Sequence, residues 1–230
     1  MNYSPLRYPG GKSKIAPFIK LLMENSPIDY HTYIEPFAGG AGVALTLLLE
    51  DVVDRIVIND YDKAIYSFWR AVKENTNALI RLVRETPLTI AEWKKQKQTY
   101  LNSTKYSIEL GFAAFYLNRT NRSGILKAGP IGGLDQSGNY LIDARFNREV
   151  LIDKIAQIAK RKKDISVYNQ EIRSFITNIL PRNQKGAVVY FDPPYYKKGK
   201  ELYKNFFDDK DHEEIRNSIL SKLSCEKCRS

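Results

Sequence analysis

Apolar residues recur along this chain in two alternating rhythms. Short β-branched or aromatic runs at Thr32 to Pro36, Arg55 to Asn59, Ile165 to Tyr168 and Ala187 to Phe191 have the length and composition of buried strands. Between them, apolar residues fall three and four positions apart, the spacing of one helix face. A turn at Gly10-Gly11 leads into a helix over about Ser13 to Met23, and a glycine loop leads into an apolar helix over Val43 to Leu49. A long amphipathic helix is predicted near Tyr61 to Arg84, with Ile65, Phe68, Trp69, Val72, Leu79, Leu82 and Val83 as its stripe. Pro87 interrupts that pattern, and Thr89 can cap a new helix carrying Trp93. Further helices are expected at Ser107 to Leu117, Arg148 to Lys160, Ile172 to Leu180 and Asp211 to Leu223. Asn118 to Phe146 is different: rich in Gly, Asn, Arg and Ser and without a helical period, it reads as a long loop with a hairpin near Gln136-Ser137-Gly138-Asn139.

Strands that alternate with crossover helices predict an α/β fold, a parallel sheet with helices on both faces. Ligands of such sheets sit beyond the carboxyl ends of the strands. The expected organisation is a discontinuous core, residues 1–61 and 164–230, with residues 62–163 inserted as a mostly helical region between the second and third strands.

Charge narrows the partners. A formal net charge of +10 over 230 residues favours a polyanion, because each Lys or Arg that neutralises a phosphate releases counterions. A solvated basic surface would carry the same charge. The basic clusters are Lys94-Lys95-Gln96-Lys97, Lys160 to Lys163 and Lys197 to Lys200, the last close to Tyr195, Tyr196, Tyr203, Phe206 and Phe207, a mix that suits base stacking. No apolar run approaches the roughly 18 residues of a membrane span, and Met1 to Arg7 has no signal-peptide pattern, so a cytoplasmic protein without a membrane partner is expected. Cys225 and Cys228 form a lone C-x-x-C with nothing to complete a metal site; no metal is expected.

Four motifs fall at strand ends or at turns that can fold over them. Glu35-Pro36-Phe37-Ala38-Gly39-Gly40-Ala41-Gly42 leaves a strand and opens a helix, where glycines admit close approach of a ligand. The same loop could be no more than a tight strand-to-helix turn. Asp60, at the end of the second strand, sits where an acid takes the ribose hydroxyls of a nucleoside cofactor, or where a helix needs an N-cap. Arg7-Tyr8-Pro9-Gly10-Gly11-Lys12 could close over a cofactor. It is not a phosphate loop, because the first glycine of that motif would fall at Leu6 and no strand precedes it. In Phe191-Asp192-Pro193-Pro194-Tyr195-Tyr196, two prolines end the strand and leave carbonyls unpaired. Asp192 and the Pro193 carbonyl can then accept hydrogen bonds from an exocyclic amine, with Tyr195 a flat face for an extruded base. A bare strand terminator is the plain alternative.

With these motifs in this order, the chain resembles the D12 class, Dam-type α group, of DNA adenine-N6 methyltransferases, from about Tyr3 to Leu223. The resemblance implies a Rossmann-like S-adenosylmethionine methyltransferase sheet with a mostly helical inserted target-recognition subdomain. It implies S-adenosylmethionine as cofactor, held by Tyr8, Lys12, Glu35, Phe37, Gly39, Gly42, Asp60 and Asp192, with Glu171 near its adenine. Asp192, Pro193 and Tyr195 would carry catalysis, transferring a methyl group to N6 of a flipped adenine in double-stranded DNA. Asn118-Arg119-Thr120-Asn121-Arg122-Ser123-Gly124 resembles the family's loop beside the DNA, which makes Asn118, Arg119 and Arg122 the expected DNA-binding residues; phosphate contact is the commoner fate for Arg119, Arg122, Lys127, Arg145 and Arg148. A monomer is expected, with a cognate restriction enzyme as a conceivable partner.

The chain departs from the family in two places. Tyr8 stands where relatives often have tryptophan, and the sequence ends where relatives continue into several more strands, so a C-terminal truncation is expected. Two rival readings follow: a non-catalytic relative that binds DNA or cofactor, and a methyltransferase for another amine (cytosine N4, RNA adenine or protein glutamine).

Overall fold

In the computed structural model, residues 2–7, 12–193 and 209–222 are described. Four strands, β1 (Thr32–Glu35), β2 (Arg55–Asn59), β3 (Ile165–Tyr168) and β4 (Ala187–Val189), form one parallel sheet in the order β3-β2-β1-β4. The register pairs Tyr33 with Ile56 and with Val188, and Val57 with Ser166. The chain steps outward from β1 to β2 to β3, then returns to place β4 on the other side of β1. The strand order therefore reverses between β1 and β4, and a crevice opens at their carboxyl ends.

Both faces of the sheet are covered. A 3-10 turn (Lys12–Ile15) runs into α1 (Ala16–Glu24), which packs with α2 (Gly42–Leu49) on one face. α2 is apolar almost all round, and Val43 through Leu48 are buried accordingly. On the other face, Ile34 and Val57 meet Ile172, Phe175, Ile176 and Leu180, from a helix that starts at Ile172–Ser174 (α8) and continues as a π-turn, Phe175–Ile179. Ile215 of the final helix, α9 (Asp209–Lys222), joins that second core.

Between β2 and β3 lie α3 (Lys63–Glu74), α4 (Thr76–Glu85), α5 (Ile90–Asn102), α6 (Ile108–Thr120) and α7 (Arg148–Lys160). They share one hydrophobic cluster with α1, α2 and the first sheet face. α3 and α6 approach closely because Gly111 has no side chain; a Cβ there would lie 2.6 Å from the Ser67 carbonyl oxygen. Phe68 and Phe115 stack across that contact, 5.5 Å between ring centres.

Three expectations need correction. The single helix near Tyr61 to Arg84 is two, broken at Asn75, whose backbone is non-helical (φ −128°, ψ 35°). The break lets α3 pack on α6 while α4 packs on α7, which one straight rod could not do. The loop expected from Asn118 begins later, since α6 runs to Thr120. No hairpin forms at Gln136 to Asn139 among the described residues. There the Gln136 side chain donates to the Ile131 and Gly133 carbonyls and accepts from the Ile142 N–H, so a side chain replaces strand pairing. No described helix is long and apolar enough to cross a membrane.

Candidate active site

The crevice is built first from backbone. β1 ends at Glu35, and the loop after it turns sharply: Gly39 has φ +46° and Ala41, the residue before α2, has φ +48°. Positive φ suits glycine but costs alanine energy, so neighbours must hold this turn. They do. The Gly39 N–H donates to Asp60 Oδ2 at 2.8 Å, and the Gly39 carbonyl accepts from Trp69 Nε1 at 2.9 Å. Ser4 Oγ donates to the Gly40 carbonyl at 2.5 Å. Trp69 reads as a member of the α3 stripe in the sequence; the missed signal is its indole N–H, which needs a partner once buried.

Asn59 is the second residue that sequence reasoning passed over. It is buried at the end of β2, and its amide donates to the Pro36 and Gln170 carbonyls (3.0 and 3.1 Å) while its oxygen accepts from the Gln170 N–H (2.8 Å). One side chain thus ties the carboxyl ends of β1, β2 and β3. Asn169 adds a bond from its amide to the Asp60 carbonyl at 2.7 Å. Asp60 is thereby fixed. Its Oδ1 accepts from the Asp62 N–H at 2.8 Å, and Asp62, not Asp60, caps α3. Burial and then the Asp62 carboxylate push the Asp60 carboxyl above the usual carboxylate range, against the two N–H donors, although part of the residue stays open to solvent.

Across the sheet, Tyr190 N–H donates to the Ile34 carbonyl at 2.9 Å, which carries the β1–β4 pairing one residue further. Glu35 on β1 and Asp192 beyond β4 then fall on the same face, close enough to repel. Burial and the Asp192 charge push Glu35 up to about 8, while Tyr33 and the Ala44 N–H in the first turn of α2 favour its charged form. Tyr33 Oη and the Glu35 carboxyl are neighbours, yet Glu35 Oε2 and Tyr33 Oη are buried without completing a hydrogen bond of normal geometry. A buried acceptor left unpaired is costly and points to a ligand donor.

Glu35 therefore makes stability depend on pH. Its ordinary value is 4.5, and in the fold it is about 8. Between these the folded protein keeps a proton that the unfolded chain loses, so stability falls as pH rises through that window, by up to about 1.4 kcal/mol per pH unit. In urea unfolding from pH 5 to 8, Glu35→Gln is expected to make the slope shallower by the share due to Glu35, while Asp60, raised to about 7, keeps its own share below that pH; parallel curves for the two proteins would refute the assignment.

The structure brings Glu35, Gly39, Gly42, Asp60, Asp192 and Pro193 to one end of the sheet. Phe37 is half-buried against the second core, on the side of Ile172 and Phe175. Glu171 caps α8, its Oε2 accepting from the Arg173 and Ser174 N–H groups. Tyr8, the Lys12 side chain and Tyr195 lie outside the described residues, as do the basic run at Lys197 to Lys200 and the two cysteines.

The residues expected to face DNA fare differently from one another. Asn118 is buried on α6: its amide donates to the Arg7 and Gly124 carbonyls (2.6 and 2.9 Å), and its oxygen accepts from the Arg7 N–H (2.7 Å). Both donors are spent inside the chain, and they pin the segment that leads to Tyr8. Arg119 Nε donates to the Arg145 carbonyl at 2.7 Å. Arg122 is exposed at the start of a 3-10 turn. Of the basic clusters, Lys160 to Lys163 sits at the amino end of β3, opposite the crevice, where Arg161 pairs with Asp51 and Asp164. Lys97 is an internal strut donating to the Leu126 carbonyl at 2.8 Å.

Comparison with known proteins identifies the family. The family model described as D12 class N6 adenine-specific DNA methyltransferase matches residues 8–230. The chain is similar to type II methyltransferase M1.LlaDCHI of Lactococcus lactis subsp. cremoris, 24% identical over 206 residues that cover 85% of this chain and 66% of that protein. It is also similar to type II methyltransferase M.MjaIII of Methanocaldococcus jannaschii, 24% identical over 206 residues, 83% of this chain and 68% of that protein. The chain spans about two thirds of the length of these curated relatives.

Proposed function

The chain belongs to the family of D12 class N6 adenine-specific DNA methyltransferases, and from that premise we propose that it transfers a methyl group from S-adenosylmethionine to N6 of an adenine flipped out of duplex DNA. The observation that carries the reading is the pairing of Glu35 and Asp192 at the switch point of the sheet, beside a glycine turn locked to Asp60.

The residues present fit the cofactor. Asp60 uses one lone pair on each carboxylate oxygen for a backbone N–H, which leaves acceptor capacity for two ribose hydroxyls. Glu35 Oε2, buried and unpaired, offers an acceptor, and a cationic ligand beside it would draw off the proton that burial and Asp192 hold on the carboxyl. Gly39 and Gly42 would line the floor, with Phe37 as a flat wall, and Tyr8 and Lys12 would close the pocket. When bound, S-adenosylmethionine supplies an electrophilic methyl group on a positively charged sulfur.

The chain's own work is positioning. Asp192 and the Pro193 carbonyl would each accept one hydrogen bond from the adenine amine, which orients its lone pair toward the cofactor pocket and raises its nucleophilicity. Tyr195 would stack on the flipped ring. Arg122 is the exposed candidate for DNA contact, while Asn118 would act at one remove, by holding Arg7 and the segment before Tyr8.

The test is radiolabelled methyl transfer to unmethylated duplex DNA, followed by digestion and separation of nucleosides. Label in N6-methyladenine is the expected result. Label in N4-methylcytosine, or cofactor binding with no transfer to any DNA, would overturn the reading.

A further inference from the structure

The segment of residues 2–7 runs between the glycine loop and the end of α6, and cations hold it there. Lys154 Nζ donates to the Ser4 carbonyl at 3.2 Å, Arg119 Nη1 reaches the Pro5 carbonyl at 3.5 Å, and Arg7 Nη1 donates to the Asn121 carbonyl at 3.2 Å. Arg119 Nε holds the Arg145 carbonyl, which brings a fourth cation, itself exposed, to the group.

Among the described residues, no carboxylate pairs with any of these four charges. The ion pairs among the described residues lie elsewhere, at Arg70–Glu74, Arg161–Asp51 and Arg173–Glu214, for example. The cations instead work against each other. Arg119 is pulled down to about 10 by burial and then by Arg7 and Arg145; Lys154 is lowered by burial and by Arg119, and Arg7 by burial and by Arg145. Neutral carbonyls anchor the side chains but cancel no charge, and each guanidinium keeps further N–H donors. An arrangement of this kind awaits an anion with several acceptor oxygens. Its place is informative too, since Ser4 Oγ bonds Gly40 of the crevice loop.

We propose that Arg7, Arg119, Arg145 and Lys154 form a clamp for one or two phosphates of the DNA backbone, next to the crevice. This rests on the reading of the protein as a DNA methyltransferase. No single stretch of sequence contains the clamp, whereas the conspicuous run Lys160 to Lys163 faces away from the crevice.

The experiment measures binding of a fluorescent duplex across a salt series. The double variant Arg145→Gln/Lys154→Gln is expected to have a salt slope shallower by about 1 to 2, at roughly 0.9 per phosphate contact. Lys162→Gln/Lys163→Gln should keep the wild-type slope. At low salt without DNA the clamp variant should melt no lower than wild type, because like charges have been removed. If it melts lower, the charge-conserving pair Arg145→Lys/Lys154→Arg decides: restoration of the steep slope supports the clamp, and failure to restore it sinks the clamp. An unchanged slope in the clamp variant overturns the proposal. So does an unchanged DNA slope combined with loss of thermal stabilisation by inorganic phosphate, which would make the cluster a free-anion site. A wild-type protein that binds no duplex overturns the functional reading and the clamp together, and that outcome is distinguishable from a clamp variant that alone keeps its slope.

Discussion

Asp192→Ala is expected to lose methyl transfer by at least about 10²–10³-fold, the scale seen when one aimed electrostatic group is removed from a preorganised site. Asp192 would supply half of the hydrogen-bonding that orients the amine, and alanine offers nothing in its place. The variant should also carry a second signature that loss of folding would not produce. The Asp192 charge is one of the two causes that raise Glu35. Without it the Glu35 carboxyl should titrate lower, and the fall of stability with pH should end earlier than in wild type. Unfolding temperatures at pH 6, 7, 8 and 9 read that window. Near-normal transfer by the variant sinks the catalytic assignment; a lost activity with an unchanged pH window sinks the claim that the two carboxylates interact.

The largest effect on stability is expected at Asn59. Asn59→Ala removes three buried hydrogen bonds and leaves the Gln170 N–H and two carbonyls unpaired at the head of the sheet. At about 1 kcal/mol per bond plus the penalty for an orphaned donor, the loss should be about 2–4 kcal/mol in urea unfolding. Asn59→Asp separates geometry from chemistry. At neutral pH it sets a carboxylate against the Pro36 and Gln170 carbonyls and should be at least as harmful as alanine. Below its own titration the protonated acid can donate one bond, and part of the stability should return. Because Asn59 precedes Asp60, both variants should also weaken cofactor binding. A stability change within about 0.5 kcal/mol, the range of an ordinary surface substitution, would show that Asn59 ties nothing.

Much of the framework was legible. The strand over Arg55–Asn59 and the helix over Arg148–Lys160 have the bounds that their patterns predict, because a β-branched run and a 3.6-residue apolar period are set by near neighbours. Thr89 caps α5 as expected, its hydroxyl accepting from the Glu92 N–H at 3.2 Å. The break at Asn75 was not legible, since neither Pro nor Gly marks it and the apolar stripe continues in phase through it. The end of α6 was misread for a related reason. Asn118 and Arg119 are loop-like by composition, but Asn118 remains helical because its polar groups find the backbone of Arg7 and Gly124.

The candidate site divides in the same way. The sequence by itself determined that Glu35, Gly39, Asp60 and Asp192 stand at strand ends or in the turn that follows one, because strand runs and the glycine and proline breaks after them are local. It also determined the excess of positive charge. It did not determine that β4 returns to lie beside β1, and that single choice of neighbour sets Asp192 against Glu35. Nor did it determine that Asn59 binds the ends of three strands, or that Arg7, Arg119, Arg145 and Lys154 converge while Lys160 to Lys163 turn away. The physical reason is common to all of these. Hydrogen bonds and charge repulsion act over a few ångströms of space, whichever parts of the chain supply the atoms, and only the packing of the sheet and its helices decides which atoms those are.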